Sequence, residues 1–259
     1  MKMTKRQAGH LGALARMRKY GNPGTLEGRR KGGINSILIQ TKGDSNFKTA
    51  KKHTKPRNSG LLSEFMGILI GDGHLSNYQV LVTTNSETDL EHAIFIKKLI
   101  NKLFSLNPVM KYKKGQKAVD IIVSSVNLVK WLSSKGMPQG NKLDKGLATP
   151  KWITGNRVYE QRFLKGLFDT DGCVYMDKHI INGRIYKNQG WAITSYSSHL
   201  RDDIFQTLKK LGYNPTLAKT QKSIYMRRKY DIDKYFREIG TSNPKHLNRY
   251  KNGRVPKRS

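Results

Sequence analysis

Asp72 and Asp171 stand out by the sequence that leads to each. Asp72 ends the run Phe65-Met66-Gly67-Ile68-Leu69-Ile70-Gly71-Asp72-Gly73, and Asp171 ends Leu164-Lys165-Gly166-Leu167-Phe168-Asp169-Thr170-Asp171-Gly172. Each run is apolar with helical periodicity and delivers one carboxylate followed by a glycine. Gly67 and Gly71 lie four apart on one helix face, as Gly166 and Thr170 do on the other. Small residues at that spacing let two helix backbones approach closely. Parallel packing would bring the two C-terminal ends together and set Asp72 beside Asp171. Helix C-termini already carry partial negative charge, so two carboxylates held there repel each other and need cations. Carboxylate oxygens with open coordination positions suit hard divalent ions, Mg²⁺ or Mn²⁺. Such a pair supports metal-assisted phosphodiester hydrolysis, in which the ion acidifies the attacking water and stabilises the leaving oxygen. A single Asp-Gly after a helix is an ordinary C-terminal turn; two matched copies are not.

The elements that must position these acids occur in the same order twice. The first set is a helix over 61–71 capped by Ser59, a hairpin over 74–84 and a helix from 90 to 103. It continues with a hairpin over 108–124 turning at Lys114-Gly115 and a helix over 126–135 that stops at Gly136. Ser86-Glu87-Thr88-Asp89 has the form of a capping box for the helix at 90. The second set is a helix over 158–170, strands within 173–195, a helix over 198–211, strands within 215–230 and a helix over 231–239. Each half reads αββαββα, and the two aspartates are 99 residues apart. A repeat of this length is a duplicated domain rather than a solenoid. The expected fold class is α+β. Two pseudo-symmetric αββαββα halves, 59–150 and 151–259, form a β-saddle with the motif helices at their interface, preceded by a basic extension over 1–58.

Charge narrows the partners. The 259 residues hold 49 Lys and Arg against 18 Asp and Glu, a formal net charge of +31. So large a surplus favours a polyanion, most simply nucleic acid. No run of about 18 apolar residues exists to span a bilayer, and no signal-peptide core follows the start. The single cysteine, Cys173, excludes an internal disulfide. It reads as a small core residue in a reducing, intracellular setting, cytoplasmic or nucleoid, with an organelle as the alternative. Residues 1–58 carry fifteen Lys or Arg against Glu27 and Asp44 and few apolar residues. This arm is expected to bury no core of its own and to order against nucleic acid.

The two motifs and the repeated order together resemble the LAGLIDADG homing endonucleases of the single-chain, two-motif type, over roughly residues 59–250. The resemblance implies a monomeric, site-specific double-strand DNA endonuclease that serves intron homing, with one active site per half. It implies minor-groove cleavage that leaves short 3′ overhangs. In that family the last acid of each motif binds metal, which assigns Asp72 and Asp171 as metal ligands, with Gly71 and Thr170 beside them. A lysine in each half sits near the active site; the matched positions are Lys142 in Gly140-Asn141-Lys142-Leu143 and Lys245 in Asn243-Pro244-Lys245-His246. Polar strand ends, Thr84-Asn85 and Thr194-Ser195, are expected to hold waters near the metals. Asp169 takes the earlier acid position of the second motif, where the first has Ile70, and reads as structural.

The strands would supply the DNA surface, one face against helices and the other toward the duplex. Lys111, Lys113, Arg184, Tyr186, Lys187, Gln189, Tyr225, Arg227 and Lys229 are candidate contacts, since Lys, Arg and Gln read base edges or hold phosphates. The seven histidines are scattered without zinc spacing. The alternative on the same scaffold binds without cutting, as an intron RNA maturase or a DNA-binding regulator. A basic structural protein of the ribosome or nucleoid is the third class. No intein-type splicing residues stand at the Met-Lys start or the Arg-Ser end.

Overall fold

The computed structural model describes residues 3–22, 24–42, 51–142, 144, 146–218, 220 and 222–253. The chain divides into two compact units, Met1–Ala50 and Lys51–Ser259. The first is a pair of helices, α1 (Lys5–Tyr20) and α2 (Leu26–Thr41). Thr4 and Gln7 close a reciprocal capping box at the start of α1, and Thr25 caps α2 through the Gly28 amide. The side chain of Asn35 donates to the Lys19 carbonyl at 2.7 Å, joining α2 to the end of α1. The turn is tight: a side chain on Gly21, whose φ is 75°, would stand 2.8 Å from the Gly28 Cα. Only Gly28 is buried among the described residues of the two helices. The described residues of the first unit are therefore mostly helical, as composition did not announce, and bury only that glycine.

Residues 51–58 belong with the second unit. The Thr54 amide donates to the Phe104 carbonyl at 3.0 Å, and the His53 ring meets Phe104 and Trp131 edge-on at 6.4 and 6.3 Å. The duplicated order then follows. In the first half it is α3 (Gly60–Asp72), β1 (Gly73–Leu75), β2 (Gln79–Asn85), α4 (Leu90–Phe104), β3 (Val109–Tyr112), β4 (Ala118–Ser124) and α5 (Val126–Ser134). In the second it is α6 (Arg157–Asp171), β5 (Gly172–Ile181), β6 (Arg184–Thr194), α7 (Ser198–Lys210), β7 (Thr216–Leu217), β8 (Ser223–Met226) and α8 (Lys229–Glu238). A further helix, α9 (Pro244–Asn252), ends the described chain. Each half folds its strands into one four-stranded antiparallel sheet, ordered β1-β2-β4-β3 and β5-β6-β8-β7. Among the described residues no helix is long and apolar enough to cross a membrane.

The two sheets differ in reach. β5 and β6 run 10 and 11 residues and turn at Asn182-Gly183, both at positive φ, whereas β1 has 3 residues and β2 has 7. Val80, Val82, Val119 and Ile121 of the first sheet, and Val174, Trp191, Ile193 and Ile224 of the second, point into the core. The alternate residues line an open face.

α3 and α6 are the centre. From Leu62 to Ile70 every residue of α3 is buried, because one side packs on its own sheet and the other on α6. The glycines interlock reciprocally. A Cβ on Gly67 would collide with the Phe163 carbonyl and stand 2.8 Å from the Leu167 nitrogen. A Cβ on Gly166 would collide with the Glu64 carbonyl and stand 3.0 Å from the Ile68 nitrogen. One turn on, Gly71 abuts the Thr170 side chain rather than backbone. Gly73 and Gly172 have ordinary φ values of −85° and −90°. They are glycines because a Cβ there would lie 2.6 Å from the Leu69 Cα and 2.7 Å from the Phe168 ring. Gly67→Ala or Gly166→Ala should therefore lower the stability of the second unit by about 1–3 kcal/mol, read as a lower denaturant midpoint. Gly33→Ala on α2, with nothing within 4 Å of the new methyl, should leave that transition in place.

Candidate active site

The interlocked glycines set the two helix ends side by side, and both motif acids emerge there half-buried. Asp171 Oδ2 lies 3.3 Å from where a Gly71 side chain would begin, so the acid of the second motif reaches the end of the first helix. Burial pushes the Asp72 carboxyl up to about 6, against the pull of Lys142; Asp89 pushes it further and Lys245 opposes. Burial, then the charge of Asp72, pushes Asp171 up to about 7, with Lys142 opposing. Two desolvated acids that each disfavour ionisation form a site that gains from a bound cation.

Each acid opens into its own cleft, and each cleft is assembled from both halves. The first joins Asp72, Thr84 and Asn85 of one half to Thr170 and Lys245 of the other. The second joins Asp171, Thr194 and Ser195 to Gly71 and Lys142. The lysines thus cross. Sequence spacing pairs Lys142 with Asp72 and Lys245 with Asp171, but each lysine lines the cleft of the other half's acid. The Lys142 ammonium donates to the carbonyls of Ile70 at 2.8 Å and Gly71 at 2.5 Å, at the open C-terminal end of α3. Burial lowers its pKa, against the pull of Asp171 and Asp72. Lys245 instead pairs with Asp89, at 2.6 and 2.8 Å to the two oxygens.

The strand ends need a shift of register. Gly73 pairs with Val82 and Gly172 with Ile193, so Thr83 is the counterpart of Thr194 and Thr84 of Ser195. Thr83 donates to Asp120 at 2.7 Å, and the Thr194 hydroxyl lies 2.8 Å from that of Ser223 in the equivalent cross-strand place. Asn85 serves its own turn, accepting from the amides of Glu87 and Thr88 at 2.9 Å each. No capping box forms at 86–89. Asp89 is the N-cap of α4, yet its carboxylate makes no cap bond because Lys245, Asn243 and Thr88 take it. Thr83 and Asp89 are the site residues that sequence reasoning missed, Thr83 through the one-residue slip and Asp89 through its resemblance to a helix cap.

The proposed DNA contacts divide. By register Lys111, Lys113, Arg184, Tyr186 and Tyr225 project on the open faces of the sheets. Lys113 pairs there with Asp120 at 3.2 Å, and Arg227 stacks over the Tyr225 ring at 5.5 Å. Lys187 and Gln189 share the strand face of Trp191 instead, and the Gln189 amide donates to the Tyr250 carbonyl of α9 at 3.0 Å. Lys229 opens α8 and lies off the sheet. Asp169 is fully enclosed and accepts from the Ser242 amide at 2.9 Å and from the Thr241 hydroxyl. Cys173, expected in the core, is half-buried beside Arg249, whose Nη1 lies 3.8 Å from the sulfur.

Among the described residues no cluster of three or more His, Cys, Asp or Glu side chains could hold a metal. One carboxylate per cleft beside a helix-end backbone is a donor set that leaves positions for phosphate oxygens and water, which fits a hard divalent ion.

Residues 159–240 match the LAGLIDADG-like domain family. The fold is that of the LAGLIDADG homing endonuclease I-LtrWI bound to target DNA, with a TM-score of 0.52 at 12% identity over 76% of this chain and 89% of that one. I-SmaMI, bound to an uncleaved DNA target in the presence of calcium ions, gives a TM-score of 0.51 at 10% identity over 76% and 91%. A replication factor C small subunit of Methanocaldococcus jannaschii is 30% identical over 165 residues, 59% of this chain and 9% of that protein. A tRNA-splicing ligase RtcB of Methanopyrus kandleri is 24% identical over 184 residues, 64% of this chain and 18% of that protein. The chain therefore spans less than a fifth of these two relatives.

The acids set a pH-dependent cost. Asp171 holds its proton up to about 7 when folded, against an ordinary 3.8, so its burial costs the fold fully above about pH 7, and the penalty declines from there down to pH 3.8, below which both states are protonated. Without metal, Asp171→Asn should be more stable than the parent at pH 8, on the order of 1 kcal/mol, and the advantage should shrink at pH 5 and vanish only below the ordinary carboxyl value of 3.8. Thermal melts in chelator at the two pH values measure it.

Proposed function

We propose, for a chain whose residues 159–240 are a LAGLIDADG-like domain and whose two halves share the LAGLIDADG endonuclease fold, that it is a monomeric, site-specific endonuclease that cuts both strands of DNA. The observation that carries this is the pair of half-buried acids, each at the mouth of a cleft that also holds a lysine from the opposite half. One strand lies over each cleft, and the open sheet faces hold the flanking duplex through Lys111, Lys113, Arg184, Tyr186 and Tyr225.

Asp72 and Asp171, with the backbone at Gly71 and Thr170, would hold a divalent ion, for which Mg²⁺ is the natural choice in a cell. The bound ion supplies acidification of water and charge stabilisation on phosphorus. The protein's own part is positional. The helix contact holds the acids in place before DNA arrives, so little reorganisation is needed at the reaction. Lys142 and Lys245 add positive charge beside the scissile phosphates, where negative charge grows as water attacks and the ester oxygen departs. Thr83, Thr84, Thr194 and Ser195 offer hydroxyls that orient water at the strand ends.

The α1–α2 unit has a second part in this reading. Residues 1–50 hold eleven Lys or Arg against two acids, and its helices expose Leu11, Leu14, Ile34 and Ile37 with no core beneath. A folded pair so charged is a phosphate-binding module whose tether raises the effective concentration of DNA at the clefts.

With a target selected from a randomised DNA library in Mg²⁺, Asp72→Asn and Asp171→Asn should each lower double-strand cleavage by on the order of 10²-fold or more while duplex binding holds. Either variant cutting both strands at the parental rate would refute the assignment of that acid. Replacing Arg16, Arg18, Arg29 and Arg30 with Gln should weaken binding and lower the salt slope by about 0.9 for each phosphate no longer neutralised, with the cut site unmoved. An unchanged slope would remove the helical pair from the interface.

A further inference from the structure

The two clefts are not chemically equal, and the difference lies in what each lysine is bonded to. Lys142 is held by neutral carbonyls at the end of α3, and among the described residues no carboxylate is hydrogen-bonded to it. Those carbonyls position the ammonium through the partial charge of a helix end without cancelling it. Lys245 is bonded to both oxygens of Asp89, at 2.6 and 2.8 Å. Asp89 is itself 5% exposed and anchored by the Asn243 amide at 2.6 Å and the Thr88 hydroxyl at 2.9 Å. For Lys245 to give its charge to a phosphate, it must leave a buried carboxylate without its cation. The second half has no equivalent of this acid. Where Asp89 precedes α4, the start of α7 carries Ser197 and Ser198, and Ser197 donates to the Leu147 carbonyl. The Asp171 cleft is also the roomier, about 570 Å³ against 340 Å³.

We infer that the two strands are cut in a fixed order, the Asp171–Lys142 cleft acting first, and that Asp89 is the positioning residue that delays the other cleft by holding Lys245 in a buried ion pair. The inference rests on the cleavage proposed above and adds which cleft leads and why. Asp89 touches no reacting atom; it acts through Lys245. The duplex is nicked first on the strand over Asp171, and the second cut waits on release of the Lys245 ammonium.

The test follows both strands, separately end-labelled, on a plasmid carrying the selected target. Lys142→Met identifies the strand served by its cleft as the one it slows. In the parent that strand should be cut first, with nicked circle accumulating and the second cut about tenfold slower, the worth of one charge-assisted hydrogen bond. Asp89→Asn keeps an acceptor for Asn243 and should bring the two rates within about twofold of each other, while Asp89→Glu should restore the delay. A purely structural role would slow both cuts together and leave their ratio alone. In the DNA-free protein, amine acylation followed by mass spectrometry should label Lys245 faster in Asp89→Asn than in the parent. If Asp89→Asn fails to fold, Lys245→Met decides: it should slow the second cut by less than Lys142→Met slows the first. Equal rates in the parent, the opposite order, or a ratio unmoved by Asp89→Asn would overturn the inference and leave the endonuclease reading standing. A parent that cuts neither strand would overturn both.

Discussion

The second unit depends on one contact, the backbone-to-backbone packing of α3 against α6. Side chains usually keep helices 8–10 Å apart, and here Gly67 and Gly166 remove them at the crossing. That approach allows two acids from distant points in the chain to share one electrostatic environment. It also places the end of each helix within the other half's cleft. The contact is keyed by more than shape. Glu64 of α3, 1% exposed, takes Arg162 at 3.1 Å and Lys165 at 3.2 Å from α6, so a slide of one helix along the other would strand a buried charge.

Behind the clefts the halves are not alike. Ile70 simply fills the core, whereas Asp169, at the matching position, collects the loop before α9 through Thr241, Ser242 and Asn243. Burial pushes its carboxyl up to about 7 and holds His92 and His246 down to about 4, so the cluster is maintained with little net charge. Asn243 links it forward, donating to Asp89 on one side and to the Asp169 carbonyl on the other. The loop that orients Lys245 is therefore anchored to the core of α6, while Lys142 is held by the end of α3 alone. Pseudo-symmetry is strong in the framework and weak in the wiring.

Most of the framework was legible in the sequence because it rests on local signals. Apolar periodicity, Ser59 as a cap and glycine at helix ends located the αββαββα order in both halves. The motif acids were legible because a duplicated Asp-Gly after an apolar helix is rare without a joint role. What escaped depends on pairing across the chain. A one-residue slip put Asn85 where Thr83 belongs, because the equivalence is set by the Gly73–Val82 register and not by adjacent polar residues. Lys187 and Gln189 lie on the strand face opposite to Arg184 and Tyr186, a division that a period of two sets and that grouping them by residue type does not show. Asp89 resembled a helix cap by every local rule, and its ion pair with a residue 156 positions away has no local signature. The helices of the N-terminal unit were hidden by composition, because they are held by caps and glycine contacts rather than by a buried stripe.

The crossed lysines bear on descent. A cleft that takes its acid from one copy and its lysine from the other is the composition a homodimer of a single αββαββα ancestor would have had, with each subunit completing its neighbour. The longer β5–β6 arm, the acid at 89 and the anchor at 169 are where the two halves differ within that reciprocity. A fragment carrying one half would keep its acid but lose the lysine that lines that acid's cleft from the other half.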